Sequence, residues 1–350
     1  MRRPSIASGL AAELVRVNPA AGAHRVAVRA AVSVAVPLLL LWSVDRVEWS
    51  IYAAFGAFTA LYGRTHVHLS RLQMQAAAGA LLVSVTVLGV VVGTSSHRAW
   101  LAVPVAGVVA AIGSLFSDAM DWHPPGPLFL VFAFAACASI PSHPVDVAVA
   151  AGVALASAAF AALIGYAGSA WRSIRVPGAP RTTWRRTAFR DVARRHLARN
   201  VGGVVLAGSI STAAGIGHPY WAMVSAVVPL AATRPSAQVV RGVHRVIGTF
   251  VGLAAAAVLL ALDPGGLVLI LVVVALQCAA ELLVGRNYAL ALVAITPLAL
   301  LMVHLAAPTP ARVLLEDRGV ETVIGVAVGL AIGYLTRDRS GPALRASSAG

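Results

Sequence analysis

The sequence contains no lysine: all 27 of its basic residues are arginine. That absence excludes a P-loop nucleotide site, whose lysine reaches the phosphates, and any enzyme that holds its substrate as a Schiff base. Charge of any kind is scarce, at 11% of 350 residues, where a soluble domain carries about a quarter. Hydrophobic residues make up 59%. So apolar a chain fits a membrane interior and not a set of soluble domains. There are only two cysteines, Cys137 and Cys278. Both lie inside apolar runs, which marks them as small packing residues and not as a disulfide or metal pair. No Ser/His/Asp elbow, HExxH or helix-opening G-x-G-x-x-G is found. His123, His218 and His304 are scattered without ligand spacing. The chain is therefore not expected to be an enzyme or to hold a metal or other cofactor. Nor does its start carry a short apolar core followed by a small-residue cleavage site, so no removable signal peptide is expected.

What the sequence does have is long apolar runs broken by arginine-rich gaps. Read with a window of about 20 residues per helix, they predict an all-α bundle of about twelve membrane spans. The first six are expected at about 24–44, 49–63, 72–93, 99–117, 126–140 and 145–170. The second six are expected at about 196–216, 219–232, 241–262, 266–284, 287–305 and 318–336. The net charge of +14 sits in the gaps, as in cytoplasmic loops under the positive-inside rule, so nucleic acid is not expected as a partner. Nine arginines from Arg172 to Arg199, against the single acid Asp191, mark the middle gap as cytoplasmic. With six spans on each side, both termini also face the cytoplasm. Loops expected outside carry few arginines (Arg46, Arg98, Arg312 and Arg318) and several acids, including Asp45, Glu48, Asp146 and Asp263. The organisation is then a first membrane repeat at 1–170, an arginine-rich linker at 171–199 running into span 7, a second repeat at 196–340 and a disordered cytoplasmic tail at 341–350.

The two halves echo each other. An offset of 170 takes Arg25 and Arg29 to Arg195 and Arg199, and Arg64 and Arg71 to Arg234 and Arg241. "LIGYAG" at 163–168 returns as "AIGYLT" at 331–336 with an offset of 168. An even number of spans per half makes this a parallel repeat about an axis along the membrane normal.

Candidate site residues follow from that repeat. Arg241 and Arg245 lie four apart on one helix face, and Arg234 precedes Pro235 at the helix start. With Arg64 and Arg71 they make two matched cationic clusters, read either as headgroup anchors or as a funnel for anions. Spans 2 and 8 are short and interrupted by Gly56 and Pro229, as helices around a transport site are. Tyr52, Phe55 and Phe58 share one face of span 2, a stripe suited to an aromatic solute or to helix packing. Glu281 and Asp118 stand at matching span ends and are the candidates for proton coupling, or else structural ion pairs. Because lysine is absent everywhere, the choice of arginine at any one position carries no chemical information.

"HPYWAMVSAVVPL" at 218–230, "RGVHRVIGTFVG" at 241–252 and "ELLVGRNYALALVAITPLAL" at 281–300 resemble the fusaric acid resistance family. That family includes aromatic acid exporters and has relatives among plant malate channels. The R-x3-R-x2-GT-x2-G pattern through Arg241, Arg245, Gly248, Thr249 and Gly252 is its most specific part. The first half is similar through "FGAFTALYGR" and its paired arginines. The resemblance implies a multi-pass transporter in a bacterial plasma membrane, exporting small organic anions such as aromatic carboxylates on the proton gradient. Longer members carry a large soluble domain where this chain has only a short linker. A passive anion channel is one alternative. A membrane scaffold binding a cytoplasmic partner or anionic lipid through 171–199 is another. Expected partners are the organic anion and membrane lipid, with a homo-oligomer left open.

Overall fold

The computed structural model describes residues 12–20, 22–63, 69–175 and 194–337, and their regular structure is all helical. Arg64, the 341–350 tail and residues 176–193 of the linker lie outside the described residues. The described part contains twelve helices of eight residues or more. The first six are α1 (Ala23–Ser43), α2 (Ser50–Ala57), α3 (Leu69–Gly93), α4 (Arg98–Ala119), α5 (Leu128–Ser139) and α6 (Pro144–Arg175). The second six are α7 (Arg194–Ala213), α8 (Tyr220–Leu230), α9 (Pro235–Ala261), α10 (Gly266–Leu283), α11 (Tyr288–Ala306) and α12 (Ala311–Leu335). Each overlaps one of the apolar segments read from the sequence. Eight are long and apolar enough to cross a membrane: α1, α3, α4, α6, α9, α10, α11 and α12. Large apolar side chains such as Val28, Leu40, Val108, Leu163, Phe250 and Val258 point outward. A soluble protein rarely exposes so much apolar surface, whereas acyl chains cover it at no loss.

The short helices lie inside this shell. All eight residues of α2 and all eleven of α8 are buried. They rise only about 12 and 16 Å, against a hydrocarbon core of about 30 Å. Apolar on every face, they need helices on every side. The chain leaves α2 through a 3-10 turn at Phe58–Leu61 and reaches Gly63, where φ is +71°. Glycine is required there twice over. An L side chain resists that backbone, and a Cβ would lie 3.0 Å from Arg71 Cγ. After α8, Arg234 is extended (φ −91°, ψ 138°), as a residue before proline must be, and Pro235 opens α9.

Small residues let these inner helices touch backbone to backbone. A Cβ on Gly325 of α12 would overlap the Ala222 carbonyl of α8 and lie 2.6 Å from Ser225 Cβ, and one on Gly329 would overlap the Ala226 carbonyl. A Cβ on Gly56 of α2 would overlap the Ala154 carbonyl of α6, where the Ser157 hydroxyl donates to the Ala53 carbonyl at 2.6 Å. Such close approach is how helices associate where no hydrophobic force separates them from lipid.

Certain contacts occur twice. Gln75 of α3 donates to the Tyr62 carbonyl at 3.3 Å and packs on Gly165 of α6. Gln238 of α9 donates to the Ala232 carbonyl at 2.9 Å and packs on Gly333 of α12. The first six helices meet the last six along two main seams, α1 against α10 and α4 against α7, with lesser contacts of α5 on α8 and α2 on α11. Val34 and Leu38 join Leu269, Ile270 and Val273 at one. Asn200 donates to the Ser114 hydroxyl at 3.0 Å at the other.

Candidate functional site

Between the seams, α2, α5, α8 and α11 enclose a cavity of about 710 Å³, the size of a small-molecule site. One wall is aromatic. Phe55 and Phe58 follow the α2 path one turn apart, and Phe129 and Phe132 are spaced the same way on α5. Phe55 meets Phe132 at 5.2 Å and 85°, Phe55 meets Phe58 at 5.7 Å and 85°, and Phe58 meets Phe129 at 5.3 Å and 69°. Edge-to-face rings at these distances brace one another into a stiff apolar surface.

A second part of the lining carries charge. Arg241, His244 and Arg245 line it from α9, Gln277 and Glu281 from α10, Tyr288 from α11 and Arg318 from α12. Arg241 is exposed, while Arg245 and Glu281 are buried. Arg245 Nε donates to Ser225 Oγ and Arg245 Nη1 donates to Tyr288 Oη, both at 3.2 Å. Arg318 is 1% exposed, with its guanidinium carbon 4.0 Å from the centre of the Trp221 ring.

At the end where α9 begins, residues 12–20 lie across the cavity, and Glu13, Arg16 and Asn18 line it. His244 Nε2 donates to the Leu14 carbonyl at 2.9 Å, which fixes its tautomer because a carbonyl only accepts. Asn287 Nδ2 donates to the Leu14 and Arg16 carbonyls at 3.2 and 3.1 Å, while its Oδ1 caps α11 at Ala289 N. Toward the opposite end Ile51, Ala136 and Val303 line the cavity and also a smaller pocket of about 130 Å³ that holds His218 and Tyr220. These apolar side chains lie between the two spaces.

Of the residues singled out from sequence, Phe55, Phe58, Arg241, Arg245 and Glu281 come together on this cavity. Tyr52 is buried in the neighbouring core and does not line it. Arg71 is buried with its Nε on the Gly63 carbonyl at 2.9 Å, tying α3 to the turn after α2. Arg234 is exposed at the start of α9. Asp118 is at the α4–α7 seam, 3.4 Å from His196 Nδ1. The sequence reading missed Arg318. The outer loop and span start expected at Arg318 are corrected by α12, which begins seven residues earlier at Ala311. Arg312 and Glu316 pair on its exposed face at 2.6 Å, whereas Arg318 and Glu321 are on the buried one. The signal was available in the spacing. Leu314, Arg318, Thr322, Gly325 and Gly329 form one helical stripe.

Apolar helices packed around an internal chamber with charged and aromatic walls define a multi-pass helical membrane protein. Residues 206–332 match the family described as fusaric acid resistance protein-like. The chain is also similar to an uncharacterized membrane protein, YvaC, of Bacillus subtilis (strain 168), with 31% identity over 131 residues. That alignment covers 37% of this chain and 21% of the relative, so the chain spans about a fifth of the curated relative it matches. No solved structure matches. The family match takes in Trp221, Arg245, Glu281 and Arg318 but leaves out the aromatic wall.

Proposed function

We propose that the protein exports small organic anions, aromatic carboxylates in particular, across a bacterial plasma membrane on the proton gradient. The observation that carries this reading is the composition of this cavity, whose lining includes four phenylalanines and also Arg241, Arg245 and Arg318. A benzoate-sized solute has an apolar ring and a carboxylate, and this chamber offers each a surface of matching chemistry. Guanidinium binds carboxylate through parallel hydrogen bonds that gain strength when water is excluded. Glu281, buried on the same wall, is the proposed proton carrier. The arginine distribution supports both termini, and the mouth bearing Arg16 and Arg241, facing the cytoplasm. The partition at Ile51, Ala136 and Val303 then closes the far side.

In this reading twelve helices form two six-helix halves about an axis through the cavity. The paired glutamine contacts and the two seams, which exchange when the halves are swapped, support it. The glutamines shift the expected register: Gln75 falls opposite Gln238, an offset of 163, which sets Arg71 opposite Arg234 and not Arg241.

The test is counterflow of labelled benzoate, cinnamate and malate in proteoliposomes containing the purified chain. We expect exchange of the aromatic acids and their accumulation under an imposed pH gradient. Glu281→Gln should abolish the accumulation and keep the exchange. Flux insensitive to the gradient in the unaltered protein would make it a channel. Absence of flux for every acid would end the transport reading and favour a scaffold acting through 171–199.

A further inference from the structure

The transport reading leaves open where in the chamber the anionic group rests. The residue that stands out is Arg318. A guanidinium taken out of water needs acceptors, and each buried N–H left without one costs about 1–3 kcal/mol. Among the described residues Arg318 has none. Its Nε and Nη1 are buried without a hydrogen-bond partner, and it forms no ion pair. Glu321, one turn along the same face, receives the Ser211 hydroxyl on Oε1 at 2.7 Å instead of bonding to Arg318. The Glu321 carboxylate, Tyr220 and Tyr288 act on Arg318 through their charge alone, and its direct contact is the face of Trp221, which stabilises a cation but takes no N–H bonds in the guanidinium plane. The Nε and Nη1 edge of the fork is therefore buried and unpaired while one face is held, and the side chain borders the cavity.

A second guanidinium stands next to it. Trp221 and Ser225 are four residues apart on α8, hence on one face with Cβ atoms about 5–6 Å apart. Arg318 reaches Trp221 from α12, and Arg245 reaches Ser225 from α9. Two cations from different helices thus converge on one turn of α8, and both line the cavity. Arg245 is already anchored by Ser225 and Tyr288, while Arg318 keeps its donors unused. The depth favours a small solute over a headgroup. Arg245 is ten residues inside α9 and Arg318 seven residues inside α12, about 15 and 10 Å from the respective helix starts.

We infer that Arg318, held over Trp221 beside Arg245, is the receptor for the carboxylate of a small aromatic acid, at the end of the cavity away from Arg241. The fork takes the two carboxylate oxygens, and the ring extends toward Phe132, which packs on Trp221 at 5.2 Å. This inference rests on the transport reading and assigns its deepest contact.

The experiment compares benzoate with benzamide, an uncharged molecule of nearly the same shape, by calorimetric titration of the full chain in nanodiscs of neutral lipid. The unaltered protein should prefer benzoate. In Arg318→Gln, benzoate affinity should fall about 30-fold or more, as when one partner of a buried charge pair is removed, while benzamide affinity stays. Arg318→Lys, which keeps the charge but not the fork, should recover only part of the preference. It also serves as the second variant if Arg318→Gln does not fold. Equal loss of both probes would mean that Arg318 merely supports the fold and would overturn the assignment. So would an unchanged benzoate preference in Arg318→Gln, which would leave transport itself standing. No benzoate binding to the unaltered protein would instead remove the transport reading beneath it. If anionic lipid in the nanodiscs displaces benzoate from the unaltered protein but not from Arg318→Gln, the anion received there is a headgroup and the proposal fails.

Discussion

The two walls of the cavity differ in a way the helices behind them do not. Behind both, a long helix packs through small residues on a short buried one, α6 on α2 and α12 on α8, and a glutamine fills the gap beside a glycine. At the surface of the cavity the halves part company. In the register set by Gln75 and Gln238, Arg245 falls opposite Leu82. In the register set by Gly165 and Gly333, Arg318 falls opposite Ala150. With the offset of 170 between α2 and α8, Ser225, which anchors Arg245, falls opposite Phe55. Leu82 and Ala150 are both fully buried in the core. The lesson is that close packing constrains both halves alike, while side chains facing the chamber are free to diverge. One half then supplies the four phenylalanines and the other Arg241, Arg245, Glu281 and Arg318. An organic anion is itself divided in that way.

The comparison breaks most visibly at Arg245. Arg245→Gln should lower aromatic-acid exchange by about 30- to 5,000-fold, the range for losing one member of a buried, hydrogen-bonded charge pair. Its opposite number should behave as core. Leu82→Ala should cost about 2–5 kcal/mol of stability, read as a lower melting temperature in detergent, with exchange per folded molecule unchanged. If Leu82→Ala instead abolishes exchange in fully folded protein, the division of labour is mistaken.

Where the halves are alike, the same lesion should hurt both. Gly56→Val and Gly325→Val each drive a side chain into a neighbouring carbonyl, Ala154 in one and Ala222 in the other. Overpacking of this kind costs about 1–3 kcal/mol, so both variants should melt earlier by similar amounts. A large effect in one half and none in the other would mean that the short helices are held differently.

How far the sequence reveals these walls depends on periodicity. Long apolar runs declare their helices, so a helix overlaps each of the twelve expected segments, and eight of these helices are long and apolar enough to cross a membrane. Phe55, Phe58, Arg241, Arg245 and Glu281 reach the cavity as a shared helix face or a short span would suggest. The failures have a common physical origin. Arg312, Glu316, Asp317 and Arg318 crowd together in sequence and read as a loop, although a helix sends two of them outward and turns Arg318 in. Arg71 reads like Arg241, but the glycine turn after α2 captures its guanidinium. Asp118 occupies the place in its half that Glu281 has in the other, yet α7 supplies it with His196. Tyr52 shares a stripe with Phe55 and Phe58, but a fully buried helix shows only part of its surface to the cavity. In each case a tertiary neighbour decides, and no single-segment pattern contains that neighbour.

The smallest expected effect concerns the aromatic wall. Phe132 touches Phe55 on its own side and the Trp221 under Arg318 on the other, with ring centres 5.2 Å away in both cases. It is the point at which the apolar and the charged surfaces meet. Phe132→Leu keeps most of the volume and hydrophobicity but removes the ring, so the fold should tolerate it. Aromatic pairing adds about 0.5–1.5 kcal/mol beyond area burial, and so the preference for benzoate over cyclohexanecarboxylate should shrink by about 2- to 10-fold. Exchange of the saturated acid should be nearly unaffected, because its carboxylate still finds the arginines. Competition between the two acids in one vesicle preparation measures the ratio directly and cancels differences in protein content. A fall in both acids together would tie Phe132 to the placement of Trp221 and Arg318. The two walls would then be a single mechanical unit, and ring recognition could not be altered without disturbing the charge.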